Sequence, residues 1–213
     1  MSEDALLYKV ALSMVPGIGG VLARTLITYV GSVEGIFRES EHALMKIPGI
    51  GEVHARSIRE SNTLGRAAEE LVFVDKNEVR VSFYLDEGYP RRFLQCADAP
   101  ILFYFRGNGN LDAVKIISIV GTRRATGYGR QMCEELIRDL AGRGYDLLVV
   151  SGLAYGIDIQ AHSSSLKYGV PTVGVLAHGL DMLYPAEHAR TAEKMRETGG
   201  LLTDFPSKTR LDP

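Results

Sequence analysis

The sequence has no tryptophan and only two cysteines. Cys96 and Cys133 fit neither a zinc spacing nor a disulfide framework, so both are expected to be reduced thiols. No apolar run approaches membrane-spanning length, and no stretch is of low complexity. A surplus of one charge is also missing: 24 Lys and Arg stand against 26 Asp and Glu, for a net charge of −2. The balance is local as well. Residues 1–64 carry 6 basic and 7 acidic side chains, leaving 18 and 19 for the rest. A basic coat for nucleic acid is thereby excluded, and any nucleic-acid contact has to come from a local cluster. The opening Met1-Ser2-Glu3-Asp4 is acidic, unlike the basic start of a secretory signal. A cytoplasmic protein with no membrane partner is expected.

What is present is a hydrophobic fraction of 46% and 23 glycines in 213 residues, enough for a medium domain plus a small one. Two near-identical pentapeptides stand out, Val15-Pro16-Gly17-Ile18-Gly19 and Ile47-Pro48-Gly49-Ile50-Gly51. Helical spacing precedes the first (Leu6, Leu7, Val10, Ala11, Met14), and helix-like segments follow both, over 20–30 and 52–60. Proline and glycine stop a helix, and glycine permits the positive φ of a tight hairpin. Residues 1–64 are therefore expected to form a small all-α accessory domain of helix-hairpin-helix or SAM-like type.

A helix is expected over 64–77, after which the period changes. Val79–Phe83 alternates like a strand, and 101–105 is a buried strand candidate. Short Val, Ile and Leu runs at 114–120, 146–150, 171–177 and 200–204 then alternate with helix-like segments at 128–142, 156–168 and 186–198. Such alternation predicts an α/β, Rossmann-like parallel sheet with helices on both faces across residues 65–213.

In such sheets ligands bind beyond the carboxyl ends of the strands. Two turns there are rich in small residues: Gly121-Thr122-Arg123-Arg124-Ala125-Thr126-Gly127, and Ser151-Gly152-Leu153-Ala154-Tyr155-Gly156-Ile157-Asp158. Neither is a dinucleotide fingerprint, because Arg123 stands where the second glycine belongs, and neither is a P-loop or a nucleophile elbow. Backbone amides at a helix start attract anions, and Arg123 adds a forked phosphate-matching charge. The alternative is that these glycines only let helix and strand pack closely.

Asp158 and His162 share a helix face, and His162 is a candidate partner for Asp158 or for a phosphate. Asp158 alone also suits the helix dipole. His178, Asp181 and His188 have no recognised metal spacing, and Ser151 with His162 makes an unconvincing nucleophile pair. No metal, no cofactor and no catalytic residue are expected. Tyr184, next to Pro185, either stacks a base or covers the edge of the core.

These residues carry a resemblance. The run Ile119-Val120-Gly121-Thr122-Arg123, then Ser151 to Asp158 with Ala161-His162, then Gly179-Leu180-Asp181 with Tyr184-Pro185, resembles the bacterial DprA/Smf family of DNA-processing proteins in order and spacing. Tyr89-Pro90 and the strand from Pro100 to Gly107 resemble its lead-in. The resemblance implies a non-enzymatic protein that binds single-stranded DNA, protects incoming DNA in natural transformation and recombination, loads the RecA recombinase and forms homodimers. It implies a DNA pocket lined by Gly121, Arg123, Ser151, Gly152, Ala154, Gly156 and His162, to which Thr126 and Tyr184 are added here. The family pattern continues with a Phe-Pro-x-Arg-Asn-Arg segment beyond Pro213, so a Rossmann-like domain cut short is expected.

Three functional classes follow. The first is the single-stranded DNA binder. The second is a phosphoribohydrolase-like enzyme on the same fold, which would need a Pro-Gly-Gly-x-Gly-Thr turn that this sequence lacks. The third is a protein adaptor acting through the helical domain. There Gly17, Gly19, Gly49 and Gly51 could present amides to a phosphate backbone, but Glu52 and the balanced charge favour an accessory or structural role.

Overall fold

The computed structural model describes residues 3–209. Contacts divide the chain into two compact units, Met1–Phe103 and Tyr104–Pro213.

The first unit begins with six helices: α1 (Glu3–Ser13), α2 (Gly20–Val30), α3 (Val33–Arg38), α4 (Glu41–Leu44), α5 (Glu52–Glu60) and α6 (Thr63–Lys76). The repeated pentapeptides form equivalent hairpins. Ile18 N–H donates to Val15 O at 3.1 Å, and Ile50 N–H to Ile47 O at 3.0 Å. Gly17 and Gly49 take φ of +79° and +83°, which only glycine adopts without strain. The hairpins pack reciprocally: a Cβ at Gly17 would touch His54 on α5, and one at Gly49 would touch Leu22 on α2. Val15, Ile18, Ile47 and Ile50 are buried beneath them.

Two strands follow, β1 (Arg80–Phe83) and β2 (Leu102–Gly107). The loop between them is fastened to the helices of its own unit. Arg24 donates through Nη1 to Ala97 O at 2.7 Å and through Nη2 to Ala99 O at 3.0 Å. Lys9 pairs with Asp86. Tyr89, Phe93 and Phe103 stack at ring distances of 5.5–5.8 Å.

The second unit continues with β3 (Lys115–Ser118), α7 (Gly127–Ala141), β4 (Leu147–Ser151), α8 (Ile157–Lys167), β5 (Thr172–Val175), α9 (Ala189–Thr198) and β6 (Gly200–Thr203). The hydrogen-bonded strand order is β1-β2-β6-β5-β4-β3. The four strands β3 to β6 are mutually parallel, as the strand–helix alternation requires. β2 is not: Tyr104 lies opposite Thr203 and Gly107 opposite Gly200 in an antiparallel pair. β2 precedes the first strand–helix unit, so no crossover helix forces it into the common direction.

α7 packs on α8 and α8 on α9. Leu147 and Val149 are buried with Cys133, Ile137, Ala161 and Val170 beneath these helices. Leu148, between them on the opposite face, is also buried, so β4 is covered on both sides. No helix among the described residues is long and apolar enough to cross a membrane.

Candidate nucleic-acid interface

The carboxyl ends of β3, β4 and β5 open onto a cleft of about 200 Å³. Its lining comes from three turns. Arg123 comes from the β3 turn, Gly152 to Tyr155 from the β4 turn, and Val175 to His178 with Tyr184 and Pro185 from the segment after β5. The expected residues Arg123, Gly152, Ala154 and Tyr184 thus meet at one place. Among the described residues the exposed Arg123 guanidinium has no ion pair or hydrogen bond. Arg124 lies outside the cleft lining.

Gly121 and Gly156 serve close packing. Gly156 has φ +87°, and a Cβ there would lie 2.0 Å from Thr122 O. Ile157 N–H donates to the same carbonyl at 3.2 Å, and a Cβ at Gly121 would collide with Ile157. The two turns are therefore locked against each other. The packing reading of these two glycines fits the geometry, while the anion reading rests on the neighbouring backbone.

Ser151 and His162 lie behind the cleft. Ser151, buried, donates to Ile119 O at 2.6 Å and joins the ends of β3 and β4. His162 has no exposed surface. Its Nε2 donates to Gly152 O, and its Nδ1 is 2.7 Å from the Thr172 hydroxyl. It makes no hydrogen bond to Asp158, although the two share a helix face: each is buried, but the imidazole turns to the β4 turn and β5 instead. Burial is the main reason its pKa falls from 6.5 to about 4; the Gly152 bond opposes this and His188 adds to it. A neutral imidazole at the bottom of the turn holds one carbonyl and brings no charge to the cleft. Thr126 caps α7, accepting from Gly129 N–H at 3.1 Å, and is not part of the cleft lining.

A second imidazole does for the next carbonyl what His162 does for Gly152. His188, also buried, lies with Nδ1 2.7 Å from Leu153 O. Two consecutive carbonyls of the β4 turn are thereby drawn inward. Among the described residues the amides of Leu153, Ala154 and Tyr155 have no acceptor. A run of open amides at the start of a helix forms an anion-binding concavity. Tyr155 packs edge-on against His188 at 5.1 Å, and its hydroxyl bonds the Glu187 carboxylate. That bond, more than burial, raises the Tyr155 pKa.

The sequence reading missed Tyr155 and His178 as lining residues and His188 as the support of Leu153. The available signal was the third strand end: the rule that ligands sit beyond the strand carboxyl ends applies to β5 as much as to β3 and β4. Among the described residues no three His, Cys, Asp or Glu side chains come together to hold a metal ion.

Comparison with known proteins gives two family matches. The family of DNA recombination-mediator protein A matches residues 80–213, and the SAM-like helix-hairpin-helix tandem matches residues 10–61. Protein Smf of Synechocystis sp. is 30% identical over 96% of this chain and 52% of its own length. The chain spans about half the length of the curated relatives it matches. Among solved structures, DNA processing protein A from Streptococcus pneumoniae superposes with a TM-score of 0.69 at 24% identity, over 96% of this chain and 68% of that one. The protein of the same name from Helicobacter pylori, solved for its single-stranded DNA binding mode, gives 0.55 at 28% identity, over 63% and 59%. The turn sequences, the sheet that carries them and the match over residues 80–213 agree: the chain belongs to the DNA recombination-mediator protein A family.

Proposed function

We propose that the cleft beyond β3, β4 and β5 binds single-stranded DNA with little regard to sequence, through its phosphates and through bases stacked on tyrosine. One observation carries this reading: an uncommitted arginine, a run of open amides and an exposed tyrosine line a single cleft. Arg123 and the Leu153–Tyr155 amides suit phosphate, and Tyr184 offers a face to a base. The single-stranded DNA binding of the Helicobacter pylori protein supports the same reading. On this reading Gly121, Gly152, Ala154 and Gly156 shape the backbone that phosphate meets. Ser151 and His162 position it, and Thr126 sets the start of α7.

The protein acts as a binder, without turnover. Ser151 is bonded to a carbonyl and His162 is engaged on Gly152 and Thr172, so neither is poised to act as nucleophile or base. The family membership supports a place in DNA recombination and natural transformation, in the cytoplasm, with the bound strand handed to RecA and a homodimer as the working form. Residues 1–64 serve as an accessory domain.

The test is fluorescence anisotropy with matched single- and double-stranded oligonucleotides across a salt series. Single strands should bind more tightly, with affinity falling as salt rises because phosphate contacts release counterions. Equal or tighter binding to duplex overturns the reading.

A further inference from the structure

A groove of about 750 Å³ lies between α1 and α6, wholly within the first unit. Ala68, Leu71, Val72 and Asp75 fall at i, i+3, i+4 and i+7 and so share one face of α6. α1 packs on α6 and contributes Leu6 and Leu7 to the lining. Val72 is 68% exposed. A contiguous apolar trough, unlike a solitary exposed valine, marks an interaction surface.

The charged side chains of the lining are Asp4, Asp75 and Glu78, all exposed, with no Lys or Arg among them. Among the described residues none of the three carboxylates has an ion pair. Elsewhere in the same unit surface acids are neutralised one helical turn away, Glu34 by Arg38 and Glu52 by Arg56. Three unpaired negative charges beside an apolar floor repel phosphate, so nucleic acid is the wrong occupant. The walls are helices, whose backbone is bonded internally, so no sheet edge is open to an extended peptide. Recognition then rests on side chains, as when an amphipathic helix lies in a groove. A second copy of this chain seated here through a different face would make a head-to-tail contact that does not close on itself.

We propose that the α1–α6 groove docks an amphipathic helix of a partner protein, apolar on one face and carrying Lys or Arg along the borders of that face. From Ala68 to Asp75 the floor runs about 10 Å, or two turns of the docked helix. Its apolar side chains, spaced i and i+3 or i+4, rest on Leu7, Leu71 and Val72, and its cations meet Asp4, Asp75 and Glu78. The groove is thus a protein-docking site, and it does not depend on the single-strand reading of the cleft.

The experiment selects a displayed library of short helical peptides against the whole chain and measures the selected peptides by fluorescence anisotropy. They should converge on apolar residues at i, i+3 or i+4 and i+7 flanked by Lys or Arg. Val72→Ser should weaken their binding roughly tenfold. Asp75→Asn combined with Glu78→Gln should weaken it about three- to tenfold and flatten its salt dependence. Val53→Ser, an equally exposed valine outside the groove, should change nothing. All four substituted positions are exposed, and circular dichroism checks each fold. Selected peptides that lack the basic amphipathic pattern, or that bind folded Val72→Ser as tightly as wild type, overturn the proposal. Self-association in sedimentation velocity that Val72→Ser abolishes would seat a second copy in the groove and overturn it too. So would a loss of oligonucleotide affinity in these variants, which would make the groove part of the DNA surface.

Discussion

In the first unit Arg24 follows a glycine hairpin at the start of α2, and its guanidinium grips the carbonyls of Ala97 and Ala99. In the second unit Arg123 follows a glycine turn ahead of α7, is exposed, and grips nothing among the described residues. Both have the composition of a phosphate site: small residues, a helix start and an arginine. The difference lies in what is already within reach. Where the chain's own carbonyls fill the fork, the arginine is a structural clamp; where no carbonyl is near, the charge is available to a ligand. Neighbouring charge follows the same division. Arg56 beside the second hairpin is paired with Glu52, and Arg59 donates to Phe37 O.

The largest expected effect tests how rigidly the second unit's turns are locked. Gly156→Ala forces a Cβ to 2.0 Å from Thr122 O at a φ of +87°. It should cost about 3–5 kcal/mol of stability in urea unfolding. A near-wild-type midpoint would mean that the two turns are not interlocked.

Acid should weaken the same region next. The unfolded chain protonates residue 162 near pH 6.5, whereas the folded chain resists until about pH 4. The stability of the neutral buried ring is therefore complete above about pH 6.5 and declines as pH falls towards 4, by up to about 3 kcal/mol. His162→Gln should flatten that part of the stability profile relative to wild type. A slope unchanged by the substitution would show that His162 titrates normally.

The two arginines themselves give the sharpest contrast. Arg123→Ala should lower affinity for single-stranded DNA about ten- to a hundredfold, or roughly 1.5–3 kcal/mol, with an unchanged unfolding midpoint. Arg24→Ala should do the reverse, leaving affinity nearly untouched and lowering stability by about 1–2 kcal/mol. Anisotropy and urea titrations on both variants decide it, and an Arg24→Ala protein that loses DNA affinity breaks the comparison.

The smallest effect is expected at Gly51→Ala. A Cβ there meets nothing within 4 Å, and the backbone at φ −90° accepts alanine. Stability should fall by less than about 1 kcal/mol, from the poorer helix cap alone, and DNA affinity should hold. A clear loss of affinity would move the second hairpin into the interface.

The parts legible in the sequence were those written locally. The repeated Pro-Gly-Ile-Gly announced both hairpins, and the Val, Ile and Leu runs located β3 to β6 to within a few residues. Arg123 stood out because it occupies a position that a dinucleotide fingerprint gives to glycine. Contacts between distant residues were not legible. Nothing in the spacing shows that Arg24 reaches a loop 73 residues on, or that β2 joins β6 antiparallel. The helix face shared by Asp158 and His162 was readable, but not that it turns inward, since a periodic pattern marks a face without saying what lies against it. The contact of His178 Nδ1 with the carbonyl of Gly179 is likewise supplied only by three-dimensional structure.

The locking of the β3 and β4 turns also bears on speed. Gly156 against Thr122, Gly121 against Ile157 and Ser151 on Ile119 fasten the β3 and β4 turns to each other before any strand arrives. On the single-strand reading, capture by these two turns has no conformational step to wait for. The observed association rate should climb in proportion to DNA concentration without levelling off, set by diffusive encounter and by the pull of an exposed arginine. Residence time, not arrival, becomes the quantity that the cleft lining tunes.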